Sequence, residues 1–282
     1  MLSGKRLLIT GVVNPDSIAF AVAERAQLAG AEIVLTSFDR DVERTRESAA
    51  LLPTPVDVLE LDATRPEHFE RLTGDLRERW GRVDGALHAV AFAPRDALAG
   101  DFTQARPDGL NAAFQTSAVS LSHLGHLVRE LAPPQGASIV GLDFDADGRA
   151  WPVYNWMGVA KAALQAVSKY LARDLGAHGI RVNLVAAGPL HTRAAGGIPD
   201  FERLTDAFET TAPLGWDPED PAPVADVVCF LLSDWARGIT AEVVHVDGGF
   251  HAMAAPLRDA RDQHYHARLG DERGAHQRTT DP

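Results

Sequence analysis

The feature that most constrains this chain is a rhythm of short apolar runs. Seven of them, 6–10, 32–36, 57–60, 85–89, 138–141, 181–185 and 242–246, recur with helical patterns between them. Each is a few residues long and rich in Val, Ile or Leu, as strands covered on both faces are. The segments 17–29, 40–52, 66–80, 111–131, 155–176 and 224–233 read as helices. Strands alternating with helices imply βαβ units. The expected fold is therefore α/β: a single doubly wound, Rossmann-like parallel sheet with helices on both faces.

A chain of 282 residues, 45% of them apolar, is long enough for one large core of this kind. We read 1–255 as that domain. Residues 191–223 break the rhythm with several Gly and Pro and a short helical stretch at 200–210, and read as a flap of the kind that covers a site. Residues 256–282 are expected to form a disordered charged tail. From 257 onward they hold five Arg, five acidic residues and three His, with almost no large apolar side chains to fold around.

Composition also excludes partners. Lys and Arg number 27 against 39 Asp and Glu, a net charge of −12, which sets the chain against nucleic acid. Cys229 is the only cysteine, so a disulfide framework is impossible and a reducing compartment is expected. No uncharged run approaches the ~18 residues that span a bilayer, and the N-terminal apolar run ends in a Gly-containing turn rather than a cleavage site. A cytoplasmic protein with no membrane segment is expected. Cys229, in an apolar helix, reads as inert core, and His123 with His126 as packing or surface residues rather than a metal site.

The first strand runs into GVVNPDSIAFAVA. Gly11 lets the chain turn without a Cβ clash, and Asp16 or Ser17 can cap the next helix, whose N-terminus suits a pyrophosphate. Taken alone, the loop is equally a plain βα turn, because the usual G-x-G-x-x-G is absent. The second strand ends in TSFDR. Asp39 can accept a ribose hydroxyl, favouring NAD over NADP, or cap the following helix. Arg40 can pair with a 2′-phosphate, and Phe38 can lie against adenine. Asp62, closing the third strand, can hold the adenine amino group or cap the helix from 66.

The chemical end is SIVGLDFDADGRAWPVYNWMGVAKAAL. Tyr154 and Lys161 are seven apart, about two helical turns, and so share one face. A cationic lysine favours the ionised phenol and can hold a ribose hydroxyl. The phenol can donate to a developing oxyanion.

With this fold, the pair resembles the short-chain dehydrogenase/reductase superfamily. Most of its members carry Tyr and Lys four apart, with Ser thirteen residues before the Tyr. Here those positions are Gly158 and Gly141. The wider spacing resembles the enoyl-acyl carrier protein reductases of type II fatty acid synthesis. So do GVVNPDSIAFAVA, TSFDR, LELDA, HAVAFAP, YNWMGVAKAAL, GIRVNLVAAGPLHT and GITAEVVHVDGGF, which cover nearly all of the folded region. DFD, YNWM and LLSDW look most like the mycobacterial long-chain branch. AAGGIPDFERLTDAFETTAPL looks like the loop of other bacterial members and is shorter than the mycobacterial one.

The resemblance implies a role for each matching residue. Tyr154 is the catalytic tyrosine, Lys161 holds the nicotinamide ribose, and Phe144 sits near the enoyl group. Ser17 and Ile18 form the pyrophosphate turn, and Asp62 and Ala63 the adenine site. Val90 and Ala91 lie beside the adenosine ribose. Ala93 contacts substrate and Met157 walls the acyl pocket. Gly188, Pro189, Leu190 and Thr192 close on nicotinamide and pyrophosphate. It further implies NADH as cofactor, an acyl carrier protein as partner and a homotetramer. Ala91 stands where the family has Gly, Leu190 where it has Ile, and His191 where it has Lys or Arg. Two alternatives stay open: a carbonyl reductase of the same superfamily acting on a 3-oxoacyl thioester, and a non-catalytic NAD(H)-binding sensor or scaffold.

Overall fold

The computed structural model describes residues 1–145 and 149–257. The expected tail therefore lies outside the described residues from 258 onward. All seven expected strands form: β1 (Arg6–Ile9), β2 (Glu32–Ser37), β3 (Val58–Glu60), β4 (Gly85–His88), β5 (Ser138–Asp143), β6 (Arg181–Ala187) and β7 (Val243–Val246). They make one parallel sheet in the order β3-β2-β1-β4-β5-β6-β7.

Side chains along a strand alternate between two cores, since successive Cβ atoms point to opposite faces. Leu7, Ile9 and Val140 face one, and Leu8, Ile139 and Leu184 the other. On the first face lie α1 (Ile18–Leu28), α2 (Val42–Ala49) and α9 (Ala222–Leu232), which contains the fully buried Cys229. Burial pushes that thiol up to about 12, so it is not a nucleophile. On the second face lie α3 (Pro66–Trp80), α6 (Ser120–Leu131) and most of α7 (Asn155–Leu175). The expected helix ends hold where their chemistry is local. Ser17 caps α1, accepting from Phe20 N at 3.2 Å, a bond of the kind worth about 1 kcal/mol. Pro66 opens α3 and Gly81, at φ 70°, closes it.

The structure corrects three boundaries. The long helix expected at 111–131 is instead α5 (Pro107–Phe114), a π-turn (Gln115–Val119) and α6. A short helix, α4 (Arg95–Leu98), follows β4 without having been expected. β5 runs two residues past Gly141, because Leu142 and Asp143 continue the ladder with Val185 and Ala186. In the flap, a turn at Ala195–Gly197 precedes α8 (Glu202–Thr211). Among the described residues no helix is long and apolar enough to cross a membrane.

Candidate active site

The strand order reverses between β1 and β4, and in open parallel sheets the crevice outside the strand ends at such a point is where ligands bind. Gly11 sits there. Its φ is +85°, and a Cβ on it would lie 2.1 Å from the Ala89 carbonyl oxygen. Two backbones can approach this closely only at glycine. Thr10 ties the same junction, donating to Leu87 O at 2.9 Å and accepting from Ala89 N at 3.0 Å.

The other expected cofactor residues follow the carboxyl ends of the strands or open α1. Ser17 and Ile18 open α1. Phe38 follows β2 with 41% of its surface exposed and the Arg40 guanidinium 5.1 Å from its ring centroid. Asp39 makes no cap for α2, whose N-cap is Asp41. Asp62 does not cap α3 either. Its Oδ1 accepts from Thr64 N at 2.9 Å and Thr64 Oγ1 at 2.7 Å, closing a turn that buries Ala63. The loop of Val90, Ala91 and Ala93 is held by Ser117 from the π-turn, which accepts from Phe92 N at 3.1 Å. π-Turns gather at functional sites for this reason: they re-aim side chains inside a helix. Gly188 donates its N–H to Val246 O at 2.9 Å and lies flat under Trp216, whose ring atoms a Cβ would meet at 2.5 Å. Leu190 is buried, and Thr192 Oγ1 accepts from Ala195 N at 3.1 Å, which ties the flap's first turn. His191 pairs with Glu219.

Tyr154 stands at the start of α7 between two residues in left-handed backbone, Val153 at φ 59° and Asn155 at φ 24°. For a β-branched valine this is an outlier, and such strain persists where surrounding structure holds it and gathers at functional sites. Asn155 Nδ2 donates to Gly100 O at 3.2 Å and Trp156 Nε1 to Phe102 O at 2.9 Å, pinning the elbow from outside. Met157 is buried one turn on, and the Phe144 ring lies 4.8 Å from the Tyr154 ring.

Lys161 is 6% exposed and donates to Leu142 O at 2.7 Å. Among the described residues no hydrogen bond joins it to Tyr154. Burial, and then the Asp143 carboxylate, push Tyr154 well above the usual phenol range. Tyr154 is therefore a neutral donor.

Asp143, Gln165 and His88 were not singled out from the sequence. Asp143 ends β5, 5% exposed, and its Oδ2 accepts from Gln165 Nε2 at 2.7 Å, while Oδ1 has no partner. Burial pushes its carboxyl up to about 6 against the pull of Lys161 and the Gln165 bond. His88 ends β4 with Nε2 2.7 Å from Ser120 Oγ. Ser120 gives its one proton to Thr116 O, so His88 donates to it from Nε2, leaving Nδ1 as a buried lone pair. Burial, and then Lys161, hold His88 down to about 3, and it is neutral. A lysine four residues before a glutamine on one helix face, beside an aspartate that ends a strand, is the signal that would have found this cluster.

The residues present fit a dinucleotide. The positive end of α1 faces the crevice, a half-exposed aromatic ring follows β2, and the buried Lys161 ammonium spends one of its three donors on Leu142. A doubly wound parallel sheet whose crossover helix between β5 and β6 begins with a strained tyrosine and carries a buried lysine two turns on is a short-chain dehydrogenase/reductase. The family described as enoyl-(acyl carrier protein) reductase matches residues 11–251. Over 264 residues the chain is 41% identical to the NADH enoyl-(acyl-carrier-protein) reductase of Mycolicibacterium smegmatis, covering 88% of this chain and 97% of that one. It is 39% identical over 258 residues to the corresponding enzyme of Haemophilus influenzae (90% and 96% covered) and 37% identical to that of Escherichia coli over the same length. The chain belongs to the enoyl-acyl carrier protein reductase family.

Proposed function

We propose that this protein reduces trans-2-enoyl thioesters of an acyl carrier protein to the saturated acyl thioester with NADH, the last step of a fatty acid elongation cycle. The observation that carries this reading is Tyr154: a neutral, buried phenol on a strained elbow, above a buried lysine at the carboxyl end of β5. NADH, when bound, supplies the hydride that goes to the β-carbon of the enoyl group. Negative charge then develops on the thioester oxygen as an enolate, and protonation of its α-carbon, directly or through water, completes the saturated thioester. A neutral phenol stabilises the enolate oxygen by donating a hydrogen bond, an interaction stronger in the transition state than in the ground state. Lys161, with donors to spare, holds the ribose and so fixes the nicotinamide against Tyr154. Phe144 excludes water from the reacting carbons.

Gly11, Ser17 and Ile18 hold the pyrophosphate side, and Phe38, Asp62, Ala63, Val90 and Ala91 the adenosine. Gly188, Leu190 and Thr192 close over the nicotinamide. Ala93, Phe144 and Met157 form the substrate side. We read 1–255 as the catalytic domain, 191–223 as its lid, the assembly as a homotetramer and the location as cytoplasmic.

The test is oxidation of NADH by purified protein with trans-2-enoyl thioesters, run beside NADPH and beside 3-oxoacyl thioesters. Turnover of the enoyl substrate with NADH is expected. Turnover of the 3-oxo substrate alone would make the protein a carbonyl reductase, and NADH binding without any turnover would make it a sensor.

A further inference from the structure

Resting on that reading, we propose that the acyl side of the site is built for short chains, and that Phe208 is the ring that sets the limit. The argument follows the rings outward from the reactive phenol. Phe144 lies 4.8 Å from Tyr154, and beyond it are Trp151 at 5.0 Å and Phe208 at 6.2 Å, centroid to centroid. Phe208 is 2% exposed. It stacks on Phe250 at 3.9 Å with the planes 9° apart, and meets Trp151 at 5.8 Å and Trp216 at 6.4 Å. Two ring contacts from Tyr154, then, the way past Phe144 is filled by a side chain of the flap.

This ring is held on every side. α8 buries Leu204 and Phe208, four apart on one face, so Phe208 is carried by a packed helix rather than a loose loop. Trp216 Nε1 donates to Pro189 O at 2.7 Å and its indole already lies against Gly188. Trp151 Nε1 is bonded to Asp145 O. Phe250 is fixed by the turn after β7, with the Arg149 guanidinium 6.0 Å from its centroid. Close-packed rings, two of them tryptophans anchored by their indole N–H groups, do not shift to admit a methylene without losing contacts. A thioester with a few carbons ends before Phe208, and each further methylene must displace it.

The experiment is a chain-length series with NADH: crotonyl-CoA, trans-2-octenoyl-CoA, trans-2-dodecenoyl-CoA and trans-2-hexadecenoyl-CoA, with wild-type protein, Phe208→Ala and Phe250→Ala. In the wild type, kcat/KM is expected to be highest for the two shorter substrates and to fall about tenfold or more by the dodecenoyl ester. In either variant the dodecenoyl-to-crotonyl ratio of kcat/KM should rise about tenfold. The wild-type series stands by itself if a variant does not fold. A wild-type maximum at dodecenoyl or hexadecenoyl overturns this proposal and leaves the enoyl reductase reading intact, as does an unchanged ratio in a variant that still binds NADH. No turnover at any length overturns both.

Discussion

Gln165 Nε2 donates to Asp143 Oδ2 at 2.7 Å, and one turn earlier on the same helix Lys161 Nζ reaches the carbonyl of the adjoining Leu142 at the same distance. Together the two bonds fix the rotation of α7 against the end of β5. Because Tyr154 opens α7, they also fix the direction from which the phenol meets substrate.

Replacing Asp143 by Asn keeps an acceptor for Gln165 and removes the titration. The folded carboxyl titrates near 6 instead of 3.8, so between those pH values the folded protein holds a proton that the unfolded chain has lost. Wild-type stability therefore falls as pH rises through that window. Asp143→Asn should lack that fall, read as urea midpoints for the two proteins between pH 4 and 7. Parallel pH curves would remove Asp143 from the account.

His88 acts with the opposite sign. Its folded value is near 3 against an ordinary 6.5, so the unfolded chain takes up the proton first. The stability this leaves in place above pH 6.5 is lost as pH falls toward 3, by a few kcal/mol at roughly 1.4 kcal/mol per pH unit. His88→Asn should flatten the acid limb of the stability curve while keeping a donor for Ser120. A variant that loses stability in acid as steeply as wild type would contradict the buried, neutral assignment.

Tyr154 and Lys161 should separate in kinetics. Tyr154→Phe removes the donor and should lower kcat with crotonyl-CoA by about a hundredfold or more, with the NADH Kd changed less than about twofold. Lys161→Ala should instead weaken NADH itself, read by fluorescence titration. Wild-type NADH affinity in Lys161→Ala would sink the ribose-holding role.

Gly11→Ala forces a Cβ into the Ala89 carbonyl and a side chain into positive φ. The backbone strain alone costs about 1–3 kcal/mol, and the clash adds to it. A lower Tm and loss of NADH binding are expected together, by thermal melting and titration. A variant with wild-type Tm would show that β1 and β4 do not meet as closely as described.

What could be read from the chain alone was what is local. Each strand carries its own apolar run, and Ser17 and Pro66 mark helix starts by chemistry within a turn of themselves. Tyr154 and Lys161 were legible because seven residues on a helix return to one face. The break at Gln115–Val119 was not, since an extra residue per turn leaves no mark on a run of Gln, Thr, Ser, Ala and Val. Asp143 was missed because Gly141 and an acidic residue read as a strand end, whereas pairing with β6 carries the ladder on. What the shared face could not show is burial, which holds the Tyr154 phenol well above its usual range. The stack of Phe208 on Phe250 joins residues 42 positions apart, and no local pattern announces such a pair.

That stack has a consequence for biogenesis. Phe250 lies beyond the final strand, and β7 finds its place only against β6. During synthesis the chain appears from its N-terminus, so β1 and the turn at Gly11 can be made long before the ring opposite Phe208 leaves the ribosome. The nascent protein thus acquires its dinucleotide crevice early and its acyl wall last. A truncation just short of Phe250 would spare the first and deny the second.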